Sequence, residues 1–429
     1  MDIKCPTEKI KEFKVRNLLD DTTKKQFVKI IDKLLEKTVS NEMERLDEML
    51  GIDNWWKDTL KYYRKTNLYY GGKLRGPNVI LNGSFKVIYD VGDYAASVEL
   101  GNMSMATKRS DTFFMLKQKF VNEECLLALP DEHKIIQADD NVDRCLIVTK
   151  WEKCLMDGFD LFNKLNQRRQ TTEHISMMNK LHYDLGKALK RIHDKGVYIL
   201  DLKPENMLLC NNKLKYADLD DVVFKENLRK AVYERINNFG TNKVKVDSLS
   251  CVREVVTPDY SYLLFSKIFD CFKRDIELVS RSDGNKAVDL YCSLYAYVDW
   301  YAWSMVVCLN EPKYSNILNY ENWDQRSKIP PVLGRAIMDD NSYNPNINVL
   351  TNIALYKRHN YNEMQKALNF MAFFIDQYVY WREDKCNTLD INVNLVEPVK
   401  WIESTFDSSK RCINLSNELS LKLTPLLKF

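Results

Sequence analysis

Asp201, Asn206 and Asp218 have the types and spacing that phosphoryl transfer to a hydroxyl demands. An attacking hydroxyl needs an acceptor for its proton and an in-line position. A magnesium ion beside phosphates needs hard oxygen ligands, and an amide plus a carboxylate reaching in from two successive segments, here Asn206 and Asp218, can supply them. A run such as Asp201-Leu-Lys-Pro-Glu-Asn206 can also be no more than a polar turn between a helix and a strand. The remaining landmarks of the chain count against that plainer reading.

The stretch Ile199-Leu200-Asp201-Leu202-Lys203-Pro204-Glu205-Asn206, followed by Asp218-Leu219-Asp220, resembles the catalytic loop and metal-binding segment of the eukaryotic-type protein kinases, whose patterns are H-R-D-L-K-P-E-N and D-F-G. The resemblance implies that Asp201 is the catalytic base and that Lys203 holds a cation against the transferring phosphoryl group, as in the Ser/Thr members. It implies ATP with Mg2+ or Mn2+ as cofactors and serine or threonine hydroxyls of proteins as targets. The implied fold is α+β and bilobal, with a small β-rich N-lobe and a larger helical C-lobe. Divergent kinases of this sort occur in large DNA viruses and in intracellular pathogens.

Stepping upstream, Met178, Leu181, Leu185, Leu189 and Ile192 recur at helical spacing, so Thr172 to His193 reads as the amphipathic helix that delivers the chain to the loop. Cys145 to Glu152 reads as a strand, with Thr149 near the position that gates the nucleotide pocket in the resembled family. Asp157 to Lys164 is similar to the G-x-x-L-F segment after the family's hinge, and Leu208 falls where a side chain would line the nucleotide pocket.

The nucleotide-handling lobe of the family carries a glycine-rich turn, a strand lysine and a helical glutamate in that order. Met105-Ala106-Thr107-Lys108 resembles the V-A-I-K strand, which implies Ala106 against the adenine and Lys108 on phosphate oxygens. Phe120 to Leu129 has helical periodicity and places Glu123, or else Glu124, as the partner of that lysine. Segments 84–92, 96–100 and 103–109 read as three antiparallel strands with a hairpin at Gly101-Asn102. The phosphate-covering loop is then Val91 to Val98, with Gly92 as its surviving glycine and Val98 lining the nucleotide. A second loop, Leu81-Asn82-Gly83-Ser84-Phe85, looks more familiar locally but lies farther from Lys108.

Composition sets bounds. The 429 residues suit a two-lobed kinase with extensions, and 45% hydrophobic content allows a substantial core. A net charge of +3 signals neither a nucleic-acid-coating surface nor a polybasic membrane anchor. The 11 cysteines include no C-x-x-C pair, so reduced, mostly buried thiols in an intracellular, cytoplasmic protein are expected. No signal peptide or membrane span is expected, because the most apolar stretches are broken by Asp299 and Asp376.

The expected domains are a helical N-terminal extension over 1–75, an N-lobe over 76–152, a C-lobe over 153–400 and a tail over 401–429. The extension packs on the small lobe or binds a partner through Trp55 and Trp56. Val298 to Val307 resembles the D-x-W-S-x-G-V helix of the large lobe, which implies that Asp299 holds the catalytic-loop backbone from beneath. A basic stretch from Lys225 to Lys245 is a solvated loop or a docking surface for acidic or phosphorylated substrates, and Thr257-Pro-Asp-Tyr260 is similar to the end of an activation segment. Two departures bear on regulation. Leu200 stands where the family has the arginine that answers a phosphorylated activation loop, and Asp220 replaces the glycine of D-F-G. A degenerate pseudokinase used as a scaffold is therefore the competing reading.

Overall fold

A short polar residue decides the first departure from those expectations. In the computed structural model, Asn102 does not turn a hairpin but caps a helix: its Oδ1 accepts the Met105 N–H at 2.7 Å, and its backbone carbonyl accepts the Ala106 N–H at 3.0 Å. The structure describes residues 55–60, 79–82, 87–91, 93–137, 145–166, 172–237, 283–309, 399–400, 403–404, 406 and 412–414. The chain divides into two units, Met1–Gln118 with Leu129–Cys154, and Lys119–Ala128 with Leu155–Phe429.

In the first unit, strands β1 (Val79–Asn82), β2 (Val87–Asp90) and β3 (Ala95–Gly101) are followed by helix α1 (Met103–Lys119) and by β4 (Glu132–Gln137) and β5 (Cys145–Trp151). The five strands form one antiparallel sheet in the order β1-β2-β3-β5-β4. Side chains alternate along a strand, so the register of Ser97 with Thr149 and of Glu99 with Ile147 puts these four on one face. Helix α1 covers that face through Ala106, which packs with Cys145 and Ile147, and through Phe113, which sits edge-on to His133 and Trp151. On the other face, Lys150 lies over the rings of Trp55 and Tyr94, and Trp55 Nε1 donates to Glu132 at 2.6 Å. Trp55, offered above as a partner contact, is thus buried within its own unit.

The second unit is built on helix α3. Strand β6 (Met156–Asp157) leads into helix α2 (Gly158–Asn166), capped by Asp157 Oδ1 on the Asp160 N–H at 2.8 Å. Helix α3 (Thr172–Asp194) buries Met178, Leu181, Leu185, Leu189 and Ile192, the stripe expected from the sequence. It ends at Gly196, whose φ of +68° suits the left-handed cap that glycine takes without strain.

Strand β7 (Val197–Tyr198) precedes the Ile199–Asn206 segment, after which β8 (Met207–Cys210) and β9 (Lys213–Tyr216) form a hairpin. Strand β10 (Val223–Phe224), helix α4 (Lys225–Asn237), helix α5 (Gly284–Leu309) and strand β11 (Ile413–Asn414) complete the unit, and β11 adds to the edge of β9. Among the described residues, no helix is long and apolar enough to cross a membrane.

Four further expectations are corrected. Residues 103–109 are helix rather than strand, because the Asn102 cap starts a helical register there. Residues 120–128 are turns rather than a helix: α1 stops at Lys119, and Asn122 takes a left-handed φ of +66° that asparagine tolerates better than most side chains. The basic stretch from Lys225 to Arg235 lies on α4, where Lys225 pairs with Asp289 at 3.1 Å and Arg229 donates to Asn285 at 3.0 Å. Cysteines are not all thiols, since Cys125 and Cys412 form a disulfide across 287 positions. Residues 1–54 and 61–75 of the expected helical extension, together with Gly92, Lys243, Lys245 and residues 257–260, lie outside the described residues.

Phe406, within the stretch expected as a tail, is buried. Phe406 stacks on Trp300 at 5.1 Å and on Tyr183 at 5.4 Å and meets Trp303 edge-on at 5.6 Å. Gly186 makes room for it, because a Cβ there would run into the Phe406 ring. Phe406→Ala should therefore cost about 3–5 kcal/mol of stability, measured by urea unfolding; a loss below about 1 kcal/mol would show that this aromatic box does not hold the segment.

Candidate active site

The hairpin β8–β9 explains why residues so far apart in type come together. Asn206 immediately precedes β8 and Asp218 follows β9 by one residue, so the antiparallel pairing of Met207 with Tyr216 brings both to the same open end of the hairpin. The Ala217 N–H donates to the Asn206 carbonyl at 2.8 Å and closes that end. Tyr216 ties the hairpin to the scaffold: its hydroxyl donates to the Leu185 carbonyl at 2.9 Å, and its backbone exchanges hydrogen bonds with Leu126 and Ala128.

Asp201 and Asn206 are buried, and Pro204 opens the single 3-10 turn between them. Asn206 Nδ2 donates to the Asp201 carbonyl and to Asp201 Oδ2, both at 2.9 Å, while Lys203 Nζ reaches the same Oδ2 at 2.8 Å. With its amide nitrogen turned to Asp201, Asn206 presents its carbonyl oxygen, the atom able to ligate a cation, on the opposite side of the amide. Asp218 is exposed. An amide oxygen and one carboxylate suit magnesium, which keeps waters and takes phosphate oxygens rather than filling an all-protein cage. Among the described residues, no cluster of three or more His, Cys, Asp or Glu side chains forms a preassembled metal site.

Two non-glycine residues here sit in the left-handed region, Leu200 at φ +68° and Asp218 at φ +55°. Such conformations cost of order 1–3 kcal/mol and persist where the surroundings over-determine them. At Leu200 the determinant is Asp299 on α5, fully buried, whose Oδ1 accepts the Leu200 N–H at 2.7 Å and whose Oδ2 accepts the Ile199 N–H at 2.8 Å. The resemblance implied this anchor, and the geometry shows it.

His193 is a residue the sequence reading passed over. Its Nε2 bonds Asp299 at 2.9 Å and its Nδ1 bonds Glu403 at 3.0 Å, so a segment near the end of the chain closes the back of the loop. Burial works against a charged imidazole, but the two carboxylates outweigh it and His193 is pushed up to about 9. Glu403 is held below the usual carboxylate range, since the bond from His193 overcomes its own burial. A histidine at the end of an amphipathic helix carries no local signal of two carboxylates contributed from distant positions.

The nucleotide-side residues are placed differently from expectation. Ala106 is core on α1 rather than on a strand, packed against Cys145 and Ile147. Lys108 is exposed on α1 rather than on a strand. Glu123 accepts from Arg191 at 2.8 and 3.0 Å and from Lys195 at 2.9 Å; burial opposes its charge, but these bonds outweigh it and hold the carboxylate below its ordinary range.

Val98 lies on the sheet face opposite Thr149. Thr149 is buried and bonds His133 at 3.3 Å, and Leu208 is partly buried on β8. Residues 83–86, part of the second loop considered above, lie outside the described residues, as does Gly92. On β3 itself the charged side chain is Glu99, paired with Arg109 of α1 at 2.5 Å.

Comparison with known proteins finds similarity over about a third of the chain. No protein-family model matches. CBL-interacting protein kinase 15 of Oryza sativa subsp. japonica is 28% identical over 179 residues, covering 37% of this chain and 40% of that protein. CBL-interacting protein kinase 14 of the same plant is 28% identical over 179 residues, and the ovarian-specific serine/threonine-protein kinase Lok of Drosophila melanogaster is 27% identical over 136 residues. The alignments span two-fifths or less of these relatives. This partial similarity supports a kinase-like family.

Because His193 is protonated in the fold well above its ordinary 6.5, its contribution to stability is complete below about pH 6.5 and is lost as pH rises through about 9. The wild-type chain should lose on the order of 3 kcal/mol across that window. His193→Gln should show a correspondingly shallower fall when urea midpoints are compared from pH 6 to 9.5; parallel curves would refute the charged histidine.

Proposed function

We propose that the chain is a protein kinase that transfers the ATP γ-phosphate to serine or threonine hydroxyls of protein substrates. The observation that carries this reading is the convergence of Asp201, Lys203, Asn206 and Asp218 on one end of the β8–β9 hairpin, on a loop whose backbone Asp299 anchors. The similarity to Ser/Thr kinases over about a third of the chain supports it. On this reading the two units would be the small and large lobes of the family fold.

Asp201 accepts the proton of the incoming hydroxyl, and the bond from Asn206 fixes the carboxylate's orientation. Lys203, now resting on Asp201, moves its charge toward the phosphoryl group as that group arrives. Asn206 and Asp218 would hold Mg2+ or Mn2+, which would supply positive charge to offset that of the phosphates. Substrates of acidic or phosphorylated character belong to the same proposal through the basic face of α4, where Lys230 lies near Glu234 and Arg229 donates to the side-chain oxygen of Asn285.

The second reading, a pseudokinase scaffold, draws on one specific observation: β3 carries Glu99, and the lysine expected there is on a helix. An assay with radiolabelled ATP and generic Ser/Thr substrates separates the two. Under the kinase reading, Asp201→Asn lowers kcat by about 10²–10⁴-fold with little change in ATP affinity. No transfer by the wild-type chain would leave the scaffold reading standing.

The metal assignment has its own check in thermal-shift titration. ATP should raise the wild-type midpoint in a magnesium- or manganese-dependent way, and Asp218→Asn should abolish that dependence. An equal response with EDTA and with metal would remove Asp218 from the ligand set.

A further inference from the structure

Asp218 follows β9 after Ala217, and the edge of β9 turned away from β8 is covered, among the described residues, by two very short pieces of chain. Ile413 and Asn414 of β11 pair antiparallel with Leu214 and Lys213. Farther along the same edge Leu127 bridges Tyr216, whose N–H donates to the Leu126 carbonyl at 3.0 Å and whose carbonyl accepts the Ala128 N–H at 2.7 Å. A two-residue strand and a single bridge gain few backbone hydrogen bonds against the entropy of fixing them.

A covalent bond makes up the difference. Cys125 precedes one piece and Cys412 the other, and the disulfide between them joins both into one cover for β9. It closes a loop of 287 positions, and in the chain-entropy account a long closed loop removes more freedom from the released chain than a short one. The two sulfurs differ in access: Cys125 is buried, whereas Cys412 is partly exposed. Exchange begins with attack of a thiolate on one sulfur of the bond, so access selects Cys412 as the sulfur attacked.

We propose that the Cys125–Cys412 bond is a thiol–disulfide exchange site whose reduction frees the edge of β9 and so loosens the hairpin that carries Asn206 and Asp218. A dithiol reductant supplies the two electrons and the two protons. Its first thiolate attacks Cys412 Sγ, the bond to Cys125 breaks, and Cys125 leaves as a thiolate that takes up a proton. The second thiol of the reductant then attacks the mixed disulfide, Cys412 leaves and takes up the other proton, and the reductant departs as a cyclic disulfide. The effect on metal and nucleotide rests on the kinase reading, whereas the release of the strand edge does not.

Hydrogen exchange of the full chain with and without dithiothreitol reads the release. Mass analysis of the untreated chain should show Cys125 joined to Cys412. After reduction the Tyr216 and Ala128 amides should exchange at least about tenfold faster, while the Leu185 and Leu189 amides of α3 keep their rates. Cys125→Ser/Cys412→Ser should exchange fast at both positions with or without dithiothreitol, which assigns the effect to this bond; Cys412→Ala takes its place if the double variant does not fold. Separate cysteines in the untreated chain, unchanged exchange at Tyr216 and Ala128, or an equal acceleration in α3 overturns the proposal.

The consequence for the site is read by thermal shift. The magnesium-dependent rise in midpoint on adding ATP should fall by about half or more after reduction. An equal rise in both states overturns the proposed link to the hairpin and leaves the kinase reading intact. Exchange that responds to reduction in a chain with no ATP response in either state supports the exchange site and counts against the kinase reading.

Discussion

The buried carboxylate of Asp299 is the interaction on which the rest of the candidate site depends. It is fully excluded from solvent and accepts three hydrogen bonds, from the Ile199 and Leu200 amides and from His193. A carboxylate buried without such partners would be driven to neutralise or to unfold its surroundings. Satisfied in this way, it holds Leu200 in a left-handed conformation and so sets where Asp201 begins. The short 3-10 turn and the β8–β9 hairpin then carry that placement forward to Asn206 and Asp218.

The same anchor explains why the end of the chain matters. Glu403 completes the shell of His193, Phe406 fills the space left by Gly186 between Tyr183 and Trp300, and Ile413 pairs with Leu214 on the hairpin that carries the proposed metal ligands. The Cys125–Cys412 disulfide fastens this segment to the turn that pairs with Tyr216 through Leu127. Four separate contacts therefore hold these described residues behind the loop.

The proposed nucleotide side is organised on different chemistry. Where a strand lysine and a helix glutamate were expected, a strand glutamate and a helix arginine meet, and Glu123 is instead engaged by Arg191 and Lys195. Attraction between opposite charges is indifferent to which element carries which sign, so the packing of α1 on the sheet survives the exchange.

Local chemistry determined much of this in the sequence alone. The stripe of α3, the Asp201 to Asn206 run and the helix bearing Asp299 were legible because each depends on neighbours within a few positions, through helical period or a proline turn. Residues 103–109 were misread as a strand because Gly101-Asn102 suits a hairpin and a helix cap equally well by residue type, and only the sheet decided between them: with β5 already paired along β3, the chain after Gly101 must leave the sheet. Tertiary structure alone could join Glu99 to Arg109 and bring Glu403 to His193. Those partners are set by packing across strand and helix or across 210 positions of chain, and no local pattern records which carboxylate will meet which cation.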